Sequence, residues 1–286
     1  MKRIFILSIA LCAFMTGFAQ VDSTAKKSDT TKAAPDTIRI GGMTIIRDAN
    51  SKDEDNRDRK YRGLRISSRK NNKESNLETN WWIMDLGFSN YTDNTNYTSA
   101  EAQTFAPGST DDWFKIRAGK SRNVNIWFVM QKLNMVEHAV NLKYGIGIEL
   151  NNYFFDDKRI KFNKNPTLVN QGFDADIKKN KLAADYLTVP LMVNFNFTPK
   201  KEKDESFGFS LGVSAGLLYS ARQKTKDHGD VDKLKGTFDL EPFKLSYIGE
   251  ITLGPVRLYG SYAFKNMFEK GLDLTPWNVG FRFSNW

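Results

Sequence analysis

Phe207-Gly-Phe-Ser-Leu-Gly-Val-Ser-Ala-Gly-Leu217 decides the fold. Phe207, Phe209, Leu211, Val213, Ala215 and Leu217 alternate with Gly208, Ser210, Gly212, Ser214 and Gly216. A period of two puts these sets on opposite faces of one strand. A strand with one face in water would carry Lys, Glu or Thr between its apolar residues. Glycine and serine there suit the inside of a narrow barrel, where the lumen admits only small side chains and a few paired charges, and the apolar set then faces lipid.

The same grammar recurs on both sides. Upstream, Trp82, Met84, Leu86 and Phe88 alternate with Ile83, Asp85, Gly87 and Ser89. Val124, Ile126, Phe128 and Met130 form a second apolar face, and an Asn134-Met135 turn leads to Val140, Leu142, Tyr144, Ile146, Ile148 and Leu150. Leu187, Val189, Leu191, Val193, Phe195 and Phe197 precede the quoted strand. Downstream come Phe243 to Leu253, a Gly254-Pro255 turn, Val256 to Phe264, and Trp277 to Phe283. Long polar segments follow alternate strands, with 220–240 read as one of them, and the other connections are short. The expectation is an all-β, antiparallel, up-and-down transmembrane barrel of about eight strands over 80–286, with both termini on the periplasmic, short-turn side. Trp81, Tyr91, Tyr153, Tyr186, Tyr219 and Trp277 fall at strand ends, as aromatic girdles do.

The first residues point to export. Lys2 and Arg3 precede an apolar stretch from Ile4 to Met15, and Gly17-Phe18-Ala19 offers a cleavage site before Gln20. That is the pattern of a secretory signal peptide over 1–19, and the apolar run falls well short of the roughly 20 residues that span a bilayer. Leu11 stands before Cys12 where a lipoprotein signal needs a small residue, so the mature chain is read as cysteine-free, without disulfide or thiolate chemistry. A mean hydropathy of -0.50, with no stretch beyond the first residues approaching 18 consecutive apolar residues, argues against a helical membrane protein, whereas barrels hide their membrane character in alternation. The net charge of +9 is assigned to outer-membrane lipid head groups, because an exported barrel has no access to nucleic acid.

Residues 20–79 read as a polar, charged periplasmic arm, mostly disordered. Val21 to Pro35 has almost nothing to bury, Asp36 to Arg47 (DTIRIGGMTIIR) is β-prone with a Gly-Gly break, and 50–79 returns to dense mixed charge.

Tyr186-Leu-Thr-Val-Pro-Leu191, with Leu187 and Pro190 at its key positions, resembles the Tyr-Leu-x-Ile-Pro-Leu strand of the PorT-like or OmpX-like eight-stranded outer-membrane barrels, a family that includes an accessory of type IX secretion and many members with no assigned role. Gly212 to Gly216 and the finish Gly280-Phe-Arg-Phe283 are similar too, so the resemblance runs over about 81–286. It implies an integral outer-membrane protein inserted by the barrel-assembly machinery, with a periplasmic or secretion-system partner. Thr188 replaces the family's glutamate, which removes any role of that carboxylate.

Chemistry is sparse outside the lumen. With His138 and His228 the only histidines, a multi-histidine metal site is excluded. Lys226 to Asp232 lacks the spacing and terminal Glu of a calcium loop and reads as a solvated loop. Asp111-Asp112, Asp156-Asp157 and His228 with Asp230 faintly resemble the acid and histidine couples of omptin proteases, but those barrels are longer. Asp85, Lys143, Glu149, Lys244, Glu250, Arg257, Lys265 and Arg282 all fall on the inward parity. Buried charges need partners, so an internal ion-pair network is expected, with Glu250 and Arg257 as one pair. The reading is a non-enzymatic, cofactor-free structural or accessory barrel. A barrel enzyme acting on lipid or protein at the outer rim is the alternative, and a small pore the least favoured role.

Overall fold

The computed structural model describes the backbone of 36–40, 43–47 and 67–68, and residues 75–286 except 175–176, 201–202, 228–229 and 285–286. The signal peptide read over 1–19 lies outside the described residues. The chain divides into two units, Met1–Lys73 and Glu74–Trp286. In the first, strand β1 (Asp36–Ile40) pairs antiparallel with β2 (Met43–Arg47), on either side of Gly41-Gly42, and β2 pairs with β3 (Ser67–Ser68).

The second unit is the barrel. Its wall is β4 (Leu77–Asp93), β5 (Arg122–Val136), β6 (Val140–Phe154), β9 (Lys179–Asn196), β10 (Phe207–Asp227), β12 (Phe243–Leu253), β13 (Val256–Ala263) and β14 (Leu274–Phe283). Each strand pairs antiparallel with the next, and β14 pairs with β4 to close the ring, so no edge is left open to other chains. Outside the ring lie helix α1 (Ala100–Phe105), a hairpin of β7 (Ile160–Asn163) and β8 (Leu168–Gln171), and β11 (Asp230–Lys235), which pairs with β10.

Alternation assigns most side chains correctly. Met84, Leu86, Phe88, Ile146, Leu187, Val189, Leu191, Leu211, Val213, Leu245, Ile251 and Phe281 are exposed on the outer wall, while Asp85, Asn141, Lys143, Glu149, Asn194, Ser210, Glu250 and Arg282 are buried in the lumen. Leu191 and Val193 on β9 stand opposite Val213 and Leu211 on β10, so the outer face is a continuous apolar belt. In lipid such a belt is the stable surface.

Three expectations on the wall are corrected. Met130 is fully buried, not lipid-facing. The β5–β6 register shifts between Trp127 and Val129, so the extra residue Phe128 puts itself and Val129 outward and turns Met130 in. Strand β4 flips at the same level through Trp82, whose φ of 57° is left-handed, and Trp82 meets Phe128 edge to face at 5.8 Å. The β5–β6 turn is not Asn134-Met135: the strand runs to Val136 and the chain reverses at Glu137 and His138, with φ of 43° and 59°. Finally, β10 does not end near Ser220. A bulge between Leu218 and Ser220 lets it continue to Asp227.

Pro190, the family-motif residue, sits mid-strand where it lacks a donor. The ladder to β6 is interrupted there, between the pairs Tyr144 with Leu191 and Gly147 with Thr188, so the missing N–H falls in a gap. At the short-turn end, Gly254 has φ 58°, and a Cβ on it would lie 2.5 Å from the Asp204 carbonyl oxygen.

Candidate functional site

The lumen is a stack of polar and apolar layers. In its middle, Arg282 on β14 meets Asp85 on β4 with two parallel bonds, Nε to Oδ1 at 2.7 Å and Nη2 to Oδ2 at 2.8 Å. Its Nη1 donates to Glu250 Oε2 at 2.6 Å, and Glu250 Oε1 accepts from Lys143 Nζ at 2.7 Å. Asp85 Oδ2 also accepts from Trp127 Nε1 at 2.8 Å and Asn125 Nδ2 at 3.1 Å. Two cations and two anions thus form one neutral chain across the barrel. Charges taken from water need this density of partners.

A second neutral pair lies beside it. Glu149 accepts from Lys244 and, through the same oxygen, from Asn151 and Asn278, each at 3.0 Å. Asn123 links this layer to Tyr259, whose hydroxyl donates to the Asn123 side-chain oxygen. Gly87 makes room for that ring: a Cβ there would stand 2.5 Å from the Tyr259 hydroxyl. Ile83, Trp127, Met130 and Met192 form a small apolar cluster within the lumen. Met130 enters it only because of the bulge at Phe128.

Seven of the eight expected lumen charges are inside, and one is not. Lys265 is exposed beyond the end of β13 at Ala263, where the alternation no longer constrains the chain. Glu250 does not pair with Arg257. Its bonds go to Lys143, Arg282 and, at 3.5 Å, Thr252, while Arg257 donates to the Ser284 carbonyl at 2.7 Å. Asp185 and Arg222 form an ion pair that parity alone missed, because it lies on the outer wall above the bulge at Tyr219. Of the motif residues, Leu187 and Leu191 face outward, while Tyr186 and Pro190 are buried.

The two ends of the lumen are unlike. At the long-loop end, the end such barrels turn outward, the loops are not solvated strings but a packed cap. Phe105, Phe114, Phe155, Ile160, Phe162, Val169, Phe238, Leu240, Phe268 and Leu272 join Tyr153, Leu182 and Tyr186 of the wall in one apolar core. Phe162 is at its centre, with ring centroids 5.9 Å from Phe155, 5.5 Å from Phe238 and 6.3 Å from Phe268. The wall grips the cap through Gln223, whose Oε1 accepts from the Phe162 backbone at 3.0 Å and whose Nε2 donates to the Ile160 carbonyl at 2.8 Å. Tyr97 donates to Asp93 Oδ2 at 2.6 Å, and burial, with the Asp93 carboxylate beside it, pushes its phenol well above the ordinary value.

At the short-turn end a polar vestibule of about 750 Å³ opens, lined by Asn194, Asn196, Thr252, Lys132, Lys143 and Arg257 among others. The acids read as faint protease couples are engaged elsewhere. Asp111 and Asp112 hold Lys115, Asp156 holds Arg117, and Asp157 holds Arg159. Residue 228 lies outside the described residues.

A closed eight-stranded ring with an apolar exterior and a charged, neutralised interior defines a membrane-spanning β-barrel. The family model described as "Outer membrane protein beta-barrel domain" matches residues 95–272, and the chain belongs to that family, in the outer membrane. Among solved structures the chain is similar to Ail, the attachment invasion locus protein of Yersinia pestis. In the complex of Ail with the heparin analogue sucrose octasulfate the identity is 11%, over 73% of this chain and 100% of that one, with a TM-score of 0.29. A structure of Ail described without that analogue gives 10%, 72%, 98% and 0.28. No curated protein matches the sequence.

Proposed function

We propose that this outer-membrane barrel is a non-enzymatic, non-conducting element of the envelope. It acts through its surfaces, as a scaffold or an accessory to a secretion-like assembly. The observation that carries the reading is the closure of the lumen: paired charges cross its middle, and the loop core seals its outer end. A narrow barrel so filled has no continuous water path. What remains for interaction is the vestibule on the short-turn side, the charged 20–79 segment, and the outer rim. The PorT-like strand Tyr186 to Leu191 supports a secretion accessory within this class, with a periplasmic or secretion-system protein as partner and the barrel-assembly machinery as the inserting agent.

Two measurements test it together. Purified protein in planar bilayers should leave conductance at the level of lipid alone. Cross-linking of the native protein in outer membranes, through cysteines placed at the vestibule rim, should capture a discrete envelope partner. Steady single-channel currents, or hydrolysis of outer-leaflet lipid or of a peptide by the purified barrel, would replace this reading.

A further inference from the structure

The outer rim carries an arrangement of charge that the closed lumen does not explain. Above the bulge at Tyr219, strands β10 and β11 form a hairpin with two unlike faces. Arg222, Lys224, Lys226, Lys233 and Lys235 share the face continuous with the lipid-facing wall, whereas Asp227, Asp230 and Asp232 share the other. The cations stand directly opposite one another: Lys224 faces Lys181 on β9 and Lys233 on β11, Lys226 faces Lys179, and Arg222 faces Lys235. Like charges in directly opposed positions destabilise a sheet. Asp185 is the acid on this face, and Arg222 takes it. Among the described residues, Lys179, Lys224, Lys226 and Lys233 have no acidic partner.

Next to the lysine rows is a concave site of about 280 Å³ where the start of β5, the end of β6 and the start of β9 meet. Lys120, Arg122, Lys158, Lys178 and Lys179 line it, around the ring of Phe154. Its height relative to the bilayer is fixed by two contacts. The Arg122 guanidinium lies 4.6 Å from the ring centre of lipid-facing Phe88, and Lys181 Nζ lies 5.0 Å from that of Phe154. The cations therefore begin where the apolar belt ends, at the level of lipid head groups.

We propose that this rim binds a phosphorylated lipid of the outer leaflet, with one phosphate in the site of Lys120, Arg122, Lys158 and Lys179 and further negative charge along the Lys181, Lys224 and Lys233 row. Phosphate supplies the charge that opposed lysines lack, and several acceptor oxygens suit several ammonium donors. A lipid is favoured over a soluble anion because the site continues into the acyl-facing wall. One molecule is then held by its head group and its chains together. The inference stands independently of whether the barrel serves as an envelope scaffold.

The test compares thermal unfolding of the full protein in vesicles of one phospholipid doped with either diphosphoryl or non-phosphorylated lipid A. The parent should unfold at least about 3 °C higher with the phosphorylated form, which corresponds to about 1 kcal/mol for a barrel of this size. Lys158→Gln and Lys179→Gln in the site, combined with Lys181→Gln and Lys224→Gln in the row, should abolish that difference while leaving unfolding in non-phosphorylated vesicles equal or higher, since repulsion has been removed. The parent comparison stands without the variant should the latter fail to insert. Equal unfolding in both vesicles would overturn the proposal, as would a lipid-dependent gain retained in the variant. Inorganic phosphate or soluble heparin producing the same gain in non-phosphorylated vesicles would make the ligand a free anion, and that too would overturn it.

Discussion

Lys143 on β6 and Glu250 on β12 join at 2.7 Å although their strands are not neighbours in the ring, so their bond is a strut across the lumen and not a rung of the sheet. Both side chains are essentially buried, at 3% and 0% exposure. The barrel's cross-section is thereby fixed by charge as well as by backbone pairing.

Breaking that strut from one side should be severe. Lys143→Met leaves Glu250 with Arg282 as its one cation, and Glu250→Gln takes a carboxylate from both Lys143 and Arg282, so each is expected to cost about 3 to 5 kcal/mol in urea unfolding from vesicles. A double-mutant cycle on this pair should show strong coupling. The same cycle on Glu250 and Arg257 should be close to additive, because Glu250 makes its ion pairs with Lys143 and Arg282. Strong coupling in the second cycle and none in the first would reverse the assignment.

The parity flip at Phe128 is open to direct test. Val129→Arg and Ile146→Arg place a cation against acyl chains and should each cost about 2 to 4 kcal/mol near mid-bilayer. Met130→Leu, inside the lumen beside Trp127 and Met192, should cost under about 1.5 kcal/mol. A cysteine at 129 should react with a lipid-soluble maleimide, and one at 130 should not.

Truncating Phe162 should open the cap and leave the wall standing. Phe162→Ala removes the ring shared by Phe155, Phe238 and Phe268, a loss of about 3 to 5 kcal/mol for a buried phenylalanine. Protease added outside intact cells should then cut within 157–178 much faster than in the parent, while heat-modifiable gel migration is retained.

The β6–β7 connection should loosen in acid. Burial works to raise the Asp157 carboxyl, but bonds from the Arg159 side chain and backbone and from Gln171 outweigh it and hold it below the ordinary range. A folded-state value below the unfolded one contributes stability that is fully present above the ordinary aspartate value of about 3.9 and is lost as pH falls through the depressed value. Hydrogen exchange at the Arg159 amide, which donates to Asp157 Oδ1 at 3.0 Å, should show constant protection at mild pH and declining protection in stronger acid. Asp157→Asn should remove that dependence.

The wall was legible in the sequence because lipid outside and a narrow lumen inside impose opposite demands at every second residue. Gly208 to Gly216 show both demands at once. Legibility failed where a single residue broke the period, as Phe128 did for Met130 and Tyr219 did for the length of β10. It failed again at the cap, since Phe105, Phe162, Phe238 and Phe268 come from separate loops, with no repeat to mark them as a core. The inward parity of Asp85, Glu149 and Arg282 could be read, but not the identity of their partners. Those are chosen at the seam where the last strand meets the first, for Asp85 and Arg282, or by distance across the closed ring, for Glu149 and Lys244, and adjacency along the chain carries no trace of either.

Asp85 and Arg282 sit opposite each other in the register of β4 and β14, 197 residues apart in the chain. Their pairing is therefore among the most sequence-distant contacts of this polypeptide, formed only when the last strand zips onto the first, since distant contacts must await closure of the chain between them. A nascent barrel missing β14 carries a carboxylate at its seam with nothing to neutralise it, in surroundings where bare charge is heavily penalised. The ion pair at the seam is thus made only by a barrel whose last strand has met its first, and it distinguishes a finished barrel from an interrupted one.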